Sequence, residues 1–146
     1  METSARVPDA LDAVISAFRT APSALRLELL LEYARKVPPL PAELRDDPAR
    51  LERVHECQTP FFVASEIEGD TVRLYFDAPE EAPTTRGFAG ILHAGLSGQR
   101  VDAVLATPDD FYEQLGLREL ISPLRLRGMA AILGRVKRQV GAASSG

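Results

Sequence analysis

The spacing of apolar residues changes period twice along this chain, so the fold has to combine helices with strands. Leu11, Val14, Ile15 and Phe18 recur at i, i+3, i+4 and i+7, one stripe of an amphipathic helix. Leu27, Leu30, Leu31 and Ala34 repeat that spacing and predict a second helix. It stops at Val37-Pro-Pro-Leu-Pro41, because proline lacks the amide hydrogen and disfavours helix in the residue before it. With only Thr20-Ala-Pro-Ser23 between them, the two segments predict a helical hairpin.

The text from Leu40 to Leu51 is irregular and reads as short turns. Beyond it the period drops to two. Residues 62–67 read as one strand, and Val72, Leu74 and Phe76 alternate strictly in the next. Glu68-Gly-Asp70 between them predicts a tight hairpin turn. A two-stranded hairpin is marginal alone, so a third strand or a covering helix is expected, with Arg53-Val-His55 the candidate strand.

The helical period then returns. A third helix starts near Thr84-Thr85, carries Phe88, Ile91, Leu92 and Gly95 on one stripe, and ends at Ser97-Gly98. Thr107 reads as the N-cap of a short helix that Pro108, Asp109 and Asp110 favour and Gly116 stops. Met129, Ile132, Leu133, Val136 and Val140 mark the last helix, with residues 141–146 expected to be a loose tail. The expected fold is α+β: a small antiparallel sheet of two or three strands covered by about five helices, in a single domain over residues 1–146.

The formal charge is −4, and no Lys/Arg block stands out, which argues against nucleic-acid binding. Arg135, Lys137 and Arg138 read as a solvated helix face. The first residues contain no apolar signal-like run, and no stretch predicts a membrane span. One free thiol and no disulfide framework fit a reducing cytoplasm.

That thiol is Cys57, the chain's one cysteine. Alone it cannot form an intramolecular disulfide or an ordinary zinc site. It can be a nucleophile, a carrier of one sulfur atom, or a small buried hydrophobe. Its neighbours His55, Glu56, Gln58 and Thr59 are polar and Pro60 follows, which is not core text. If the chain is extended there, His55 shares the face of the thiol. Phe61 and Phe62 are candidates for an apolar wall, and Arg86 and Arg125 for positive charge. Glu56 opposes activation, since a nearby carboxylate raises a thiol pKa. His93 reads as a partly exposed filler in the third helix, and no set of residues has metal-ligand spacing.

Three blocks resemble the SufE family of sulfur acceptors. They are Leu31-Glu-Tyr-Ala-Arg-Lys-Val-Pro-Pro-Leu-Pro41, then Val54-His-Glu-Cys-Gln58, similar to the family's Val-x-Gly-Cys-Gln, and a discontinuous third block. The third comprises Arg86-Gly-Phe-Ala-Gly-Ile-Leu92, Leu115-Gly-Leu117, Ser122-Pro-Leu-Arg125 and Gly128-Met129. The resemblance implies a SufE/IscU-like fold and an accessory protein rather than a stand-alone enzyme. In that role Cys57 takes persulfide sulfur from a SufS-like or CsdA-like cysteine desulfurase, stimulates it, and passes sulfur to a SufBCD-type iron–sulfur scaffold. Pyridoxal phosphate would belong to the desulfurase, with no cofactor on this chain. His55, Gln58, Arg86 and Arg125 would support the persulfide loop or bind the partner.

The chain departs from the family pattern at Glu56, where glycine is usual, and at Thr59-Pro-Phe-Phe62, where Ser-Gln-Val-Trp is usual. Arg127 stands where asparagine is common. Two other readings of the same residues are a desulfurase-binding adaptor that carries no sulfur and a thiol redox sensor.

Overall fold

The computed structural model describes residues 7–145; residues 1–6, part of the segment read for a leader, and Gly146 lie outside it. The elements run α1 (Asp9–Thr20), α2 (Ser23–Arg35), a short α3 (Ala42–Arg45), a 3-10 turn (Pro48–Arg50), β1 (Glu52–Arg53), β2 (Phe62–Glu68) and β3 (Thr71–Asp77). Then come α4 (Pro83–Leu96), α5 (Val101–Ala106), a second 3-10 turn (Phe111–Leu115) and α6 (Pro123–Ser145). This is the expected α+β class.

The sheet is antiparallel in the order β1-β2-β3. β2 and β3 pair along their whole length, from Phe62 opposite Asp77 to Glu68 opposite Thr71. Gly69 turns the chain at φ 62°, a backbone region open to glycine at little cost. β1 is the third strand, one residue earlier than the candidate segment. Val63 faces Phe76 and Ile67 faces Val72 across the pair, and this side of the sheet, with Leu74, lies against the core. α4 packs against β3, and α6 packs against β2.

All four residues of the α1 stripe are buried. The stripe expected on α2 is displaced. Leu27 is exposed, and Leu30, Tyr33 and Ala34 form the inner face. α1 and α2 touch through the stacked Phe18 and Tyr33 rings and the bond from Arg26 Nε to the Phe18 carbonyl, but both lie chiefly on α4. The cause is the glycine pattern of α4. A Cβ at Gly90 would fall 2.0 Å from the Tyr33 carbonyl oxygen, and one at Gly95 would fall 2.6 Å from Leu11 Cδ1. Bare backbone at these positions lets both helices approach α4 more closely than they approach each other.

Two boundaries differ from the sequence reading. Thr107 ends α5 rather than starting a helix: it is fully buried, and its Oγ1 donates to the Ala103 carbonyl at 3.0 Å. Residues 111–115 form only the 3-10 turn, which Gly116 closes in left-handed conformation. At the C-terminus, α6 continues through Gly141 to Ser145, where a loose tail was expected. Its start is fixed by Ser122, whose Oγ accepts from the Arg125 amide at 3.3 Å.

Candidate functional site

Cys57 sits in a loop closed at its base by the sheet. The Val54 amide donates to the Phe61 carbonyl at 2.8 Å, extending the pairing of Arg53 with Phe62. Within the loop the Cys57 amide donates to the Val54 carbonyl at 3.2 Å, so residues 54–57 form a turn. The turn points the thiol inward, and Cys57 is 8% exposed. Gly128 of α6 lies beside it: a Cβ there would be 3.6 Å from Cys57 Sγ.

The thiol borders a hollow of about 60 Å³ lined by the loop, α4 and α6. The loop contributes Glu56, Cys57, Gln58 and Thr59. α4 contributes Thr85 from its first turn and Phe88 from its buried face, and α6 contributes Leu124, Arg125 and Gly128. About 10–15 Å³ of such space admits one water-sized group, so the hollow has room for a second sulfur on Cys57.

Of the expected site residues, Cys57, Gln58 and Arg125 come together here, with Gln58 and Arg125 exposed at the rim. His55 is exposed and does not line the hollow, because the turn removes the extended geometry that would have aligned it with the thiol. Arg86 is committed elsewhere. Its Nε donates to the Ala34 carbonyl at 3.1 Å and its Nη1 to the Ala78 carbonyl at 2.5 Å, tying the end of α2 to the exit of β3. Phe61 is fully buried and Phe62 partly so, yet the apolar wall of the hollow is Phe88.

The sequence reading missed the part played by Arg135. Instead of lying on a solvated face, it ion-pairs with Glu56 at 2.9 Å and with Glu52 at 3.2 Å. Glu52 also pairs with Arg138 and accepts from Gln139 Nε2 at 2.9 Å. Burial pushes the Glu52 carboxyl up, but the bonds from Gln139 and Arg138 and the charges of Arg138 and Arg135 outweigh it and hold the group below its ordinary value. Gln139 accepts from Ser65 Oγ at 2.7 Å, so the network joins α6 to β1, β2 and the cysteine loop. Lys137, on the same helix, pairs with Asp109 at 2.8 Å. The signal was present as acidic residues at 52 and 56 and basic residues at 135 and 138, but only tertiary contact pairs them.

Electrostatically the site holds its sulfur protonated. Burial pushes the Cys57 thiol up to about 11; the Glu56 carboxylate adds to the rise, and the Arg135 guanidinium offsets part of it. At neutral pH the thiolate, the form that reacts, is therefore a minor species. Burial likewise lowers the pKa of His93, which is half-buried in α4. No group of three or more His, Cys, Asp or Glu side chains among the described residues could hold a metal ion. No described helix is long and apolar enough to cross a membrane.

The chain is 49% identical over 141 residues to an uncharacterized SufE-like protein of Mycobacterium tuberculosis, covering 96% of this chain and 97% of that one. It is 27% identical over 129 residues to SufE-like protein 1, chloroplastic/mitochondrial, of Arabidopsis thaliana, covering 87% of this chain and 33% of that longer protein. The solution structure of a hypothetical protein from Thermus thermophilus superposes with a TM-score of 0.86 at 50% identity, covering 96% of this chain and 99% of that one. The family model described as SufE, Fe-S metabolism associated domain, matches residues 12–140, a span from α1 to α6 that includes the cysteine loop, and the chain belongs to the SufE family.

Proposed function

We propose that this protein is a sulfur acceptor and carrier. Cys57 takes sulfur from a cysteine desulfurase whose pyridoxal phosphate stays on that enzyme, and it stimulates that enzyme. It then passes the sulfur to an iron–sulfur assembly scaffold. The observation that carries this reading is the seat of the thiol: a short loop, closed at its base, places Cys57 against a hollow with room for one more sulfur. In acceptance, the Cys57 thiolate attacks the outer sulfur of the donor persulfide. The donor S–S bond breaks, the donor leaves as thiolate, and Cys57 becomes the persulfide.

The resting site is poorly suited to attack, since the thiol is buried and its pKa is about 11. It is well suited to shelter cargo from solvent and small thiols. Docking therefore has to draw the loop outward or bring positive charge to it, and Gln58 and Arg125 at the rim are placed for contact with a partner. SufS-like and CsdA-like desulfurases are the candidate donors, and a SufBCD-type assembly in the cytoplasm is the candidate recipient.

The decisive experiment is intact-mass analysis after incubation with a desulfurase and cysteine, with Cys57→Ser alongside. The expected result is a gain of sulfur on the wild type alone, reversed by reductant. Undiminished sulfur transfer by Cys57→Ser would overturn the carrier role. The buried, high-pKa thiol is the observation that favours a second reading, an adaptor that stimulates the desulfurase without carrying sulfur. Stimulation that survives Cys57→Ser, with no sulfur gained, would select it. Burial and high pKa both disfavour a redox sensor, which needs an accessible thiolate.

A further inference from the structure

Among the described residues, one buried side-chain oxygen or nitrogen has no hydrogen-bond partner: Thr59 Oγ1. A shielded hydroxyl left without a partner is costly, so a protein rarely keeps one without a use. Thr59 is two residues beyond Cys57 and lines the same hollow. The hollow has room for a second sulfur beside Cys57 Sγ. A persulfide is more acidic than its parent thiol, so it ionises more readily in this space than Cys57 itself, and the anion wants hydrogen-bond donors. Glu56, at the same hollow, repels it. Phe88 and Leu124 offer no donor, and Gln58 and Arg125 are exposed at the rim. Thr85 adds a polar side chain at the first turn of α4, the positive end of that helix. The Thr59 hydroxyl is the donor already stripped of solvent and uncommitted to the protein.

We propose that the Thr59 hydroxyl donates a hydrogen bond to the outer sulfur of a persulfide on Cys57 while the loop is closed. This rests on the reading of Cys57 as a sulfur carrier. No protein group pairs with the hydroxyl in the unloaded protein, and loading supplies a partner, so the closed loop is favoured when it holds cargo. A hydrogen bond to an ionised acceptor is roughly twice as strong as a neutral one. It also keeps the persulfide ionised, and the negative outer sulfur repels an incoming thiolate, so loss to small thiols is slowed until a partner opens the loop.

The test loads Cys57 without any desulfurase, using inorganic tetrasulfide. Cys57 gives its proton to solvent, its thiolate attacks an end sulfur, the adjacent S–S bond breaks, and trisulfide leaves with the electron pair. After desalting, loss of the added sulfur to glutathione is followed by intact mass for wild type, Thr59→Val, Thr59→Ala and Thr59→Ser. Thr59→Val and Thr59→Ala are expected to lose the persulfide several-fold faster, and Thr59→Ser to stay near wild type.

Thermal unfolding supplies a readout that a purely structural role would not move. Unloaded Thr59→Val should melt no lower than wild type, because it removes an unpaired hydroxyl while keeping the side chain's shape. The rise in Tm on loading should be present in wild type and absent in Thr59→Val. Equal persulfide lifetimes and equal Tm rises in wild type and Thr59→Val overturn the proposal; if Thr59→Val does not fold, the same comparison with Thr59→Ala decides. If tetrasulfide loads Cys57 and the lifetime depends on Thr59, while a desulfurase loads nothing, the hydrogen bond stands and the carrier reading falls. If neither donor loads wild type, both fall.

Discussion

Glu56 and Arg135 form an ion pair of 2.9 Å that spans most of the chain and holds the residue before Cys57 against α6. Arg135 is mostly shielded from solvent and Glu56 is half-exposed, so the pair is stronger than an open surface bridge but still screened. The two charges act on the thiol in opposite directions.

That opposition gives the first prediction. Glu56→Gln removes a charge that raises the Cys57 pKa and leaves Arg135 to lower it, so the pKa should fall. Arg135→Gln should raise it. If the fall is about one unit, the thiolate is about tenfold more abundant at pH 8. A Brønsted slope near 0.4–0.5 returns part of that gain, leaving roughly threefold faster alkylation. Iodoacetamide rates measured against pH check both signs. Faster alkylation in both variants would mean that the pair acts as a latch on the loop rather than through charge.

The same thiol predicts a pH dependence of stability. Its folded pKa, about 11, lies above the ordinary value of 9.0. Between these values the unfolded chain has released a proton that the folded chain still holds, so stability falls as pH rises through the interval. Below pH 9 the contribution is fully present and flat. Urea midpoints for wild type should therefore drop more steeply between pH 9 and 11 than those of Cys57→Ser. Parallel curves would show that the buried thiol is not held protonated.

Packing of α2 on α4 gives a third expectation. A Cβ at Gly90 would fall 2.0 Å from Tyr33 O and 2.5 Å from Tyr33 C, both backbone atoms that cannot rotate away. Gly90→Ala should force the helices apart and cost at least about 2 kcal/mol, toward the upper part of the overpacking range. Helix propensity alone would predict the opposite sign, a gain of up to about 1 kcal/mol. Urea denaturation separates the two.

What could be read in the sequence was what depends on local pattern. The stripes of α1 and α6, the β2–β3 hairpin with its Gly69 turn, and the prominence of Cys57 all follow from residues close in sequence. The misplaced features depend on contacts. Leu27 has the right spacing but faces solvent, because glycines in α4 decide which side of α2 is inner. Thr107 has N-cap chemistry, yet its hydroxyl serves the helix before it. His55 lost alignment with the thiol to one backbone hydrogen bond, and Arg86 went to two carbonyls. Arg135 and Thr59 acquire meaning only from what the fold sets beside them.

Gly128 supplies the last prediction, because it separates folding from the carrier role. Glycine inside α6 is costly to the helix, and a Cβ there would meet only Cys57 Sγ, at 3.6 Å, an ordinary van der Waals distance. Gly128→Ala should therefore fold, with stability equal to wild type or higher by up to about 1 kcal/mol. The added methyl enters the hollow of about 60 Å³ that a persulfide would share. Loaded protein should then keep its sulfur several-fold less long, and Gly128→Val, larger and β-branched, should be worse still. Urea midpoints and persulfide lifetimes measured on the same samples check the pair. A long-lived persulfide in a well-folded Gly128→Val would mean that the cargo rests outside the hollow, and the closed loop would lose its meaning as a shelter.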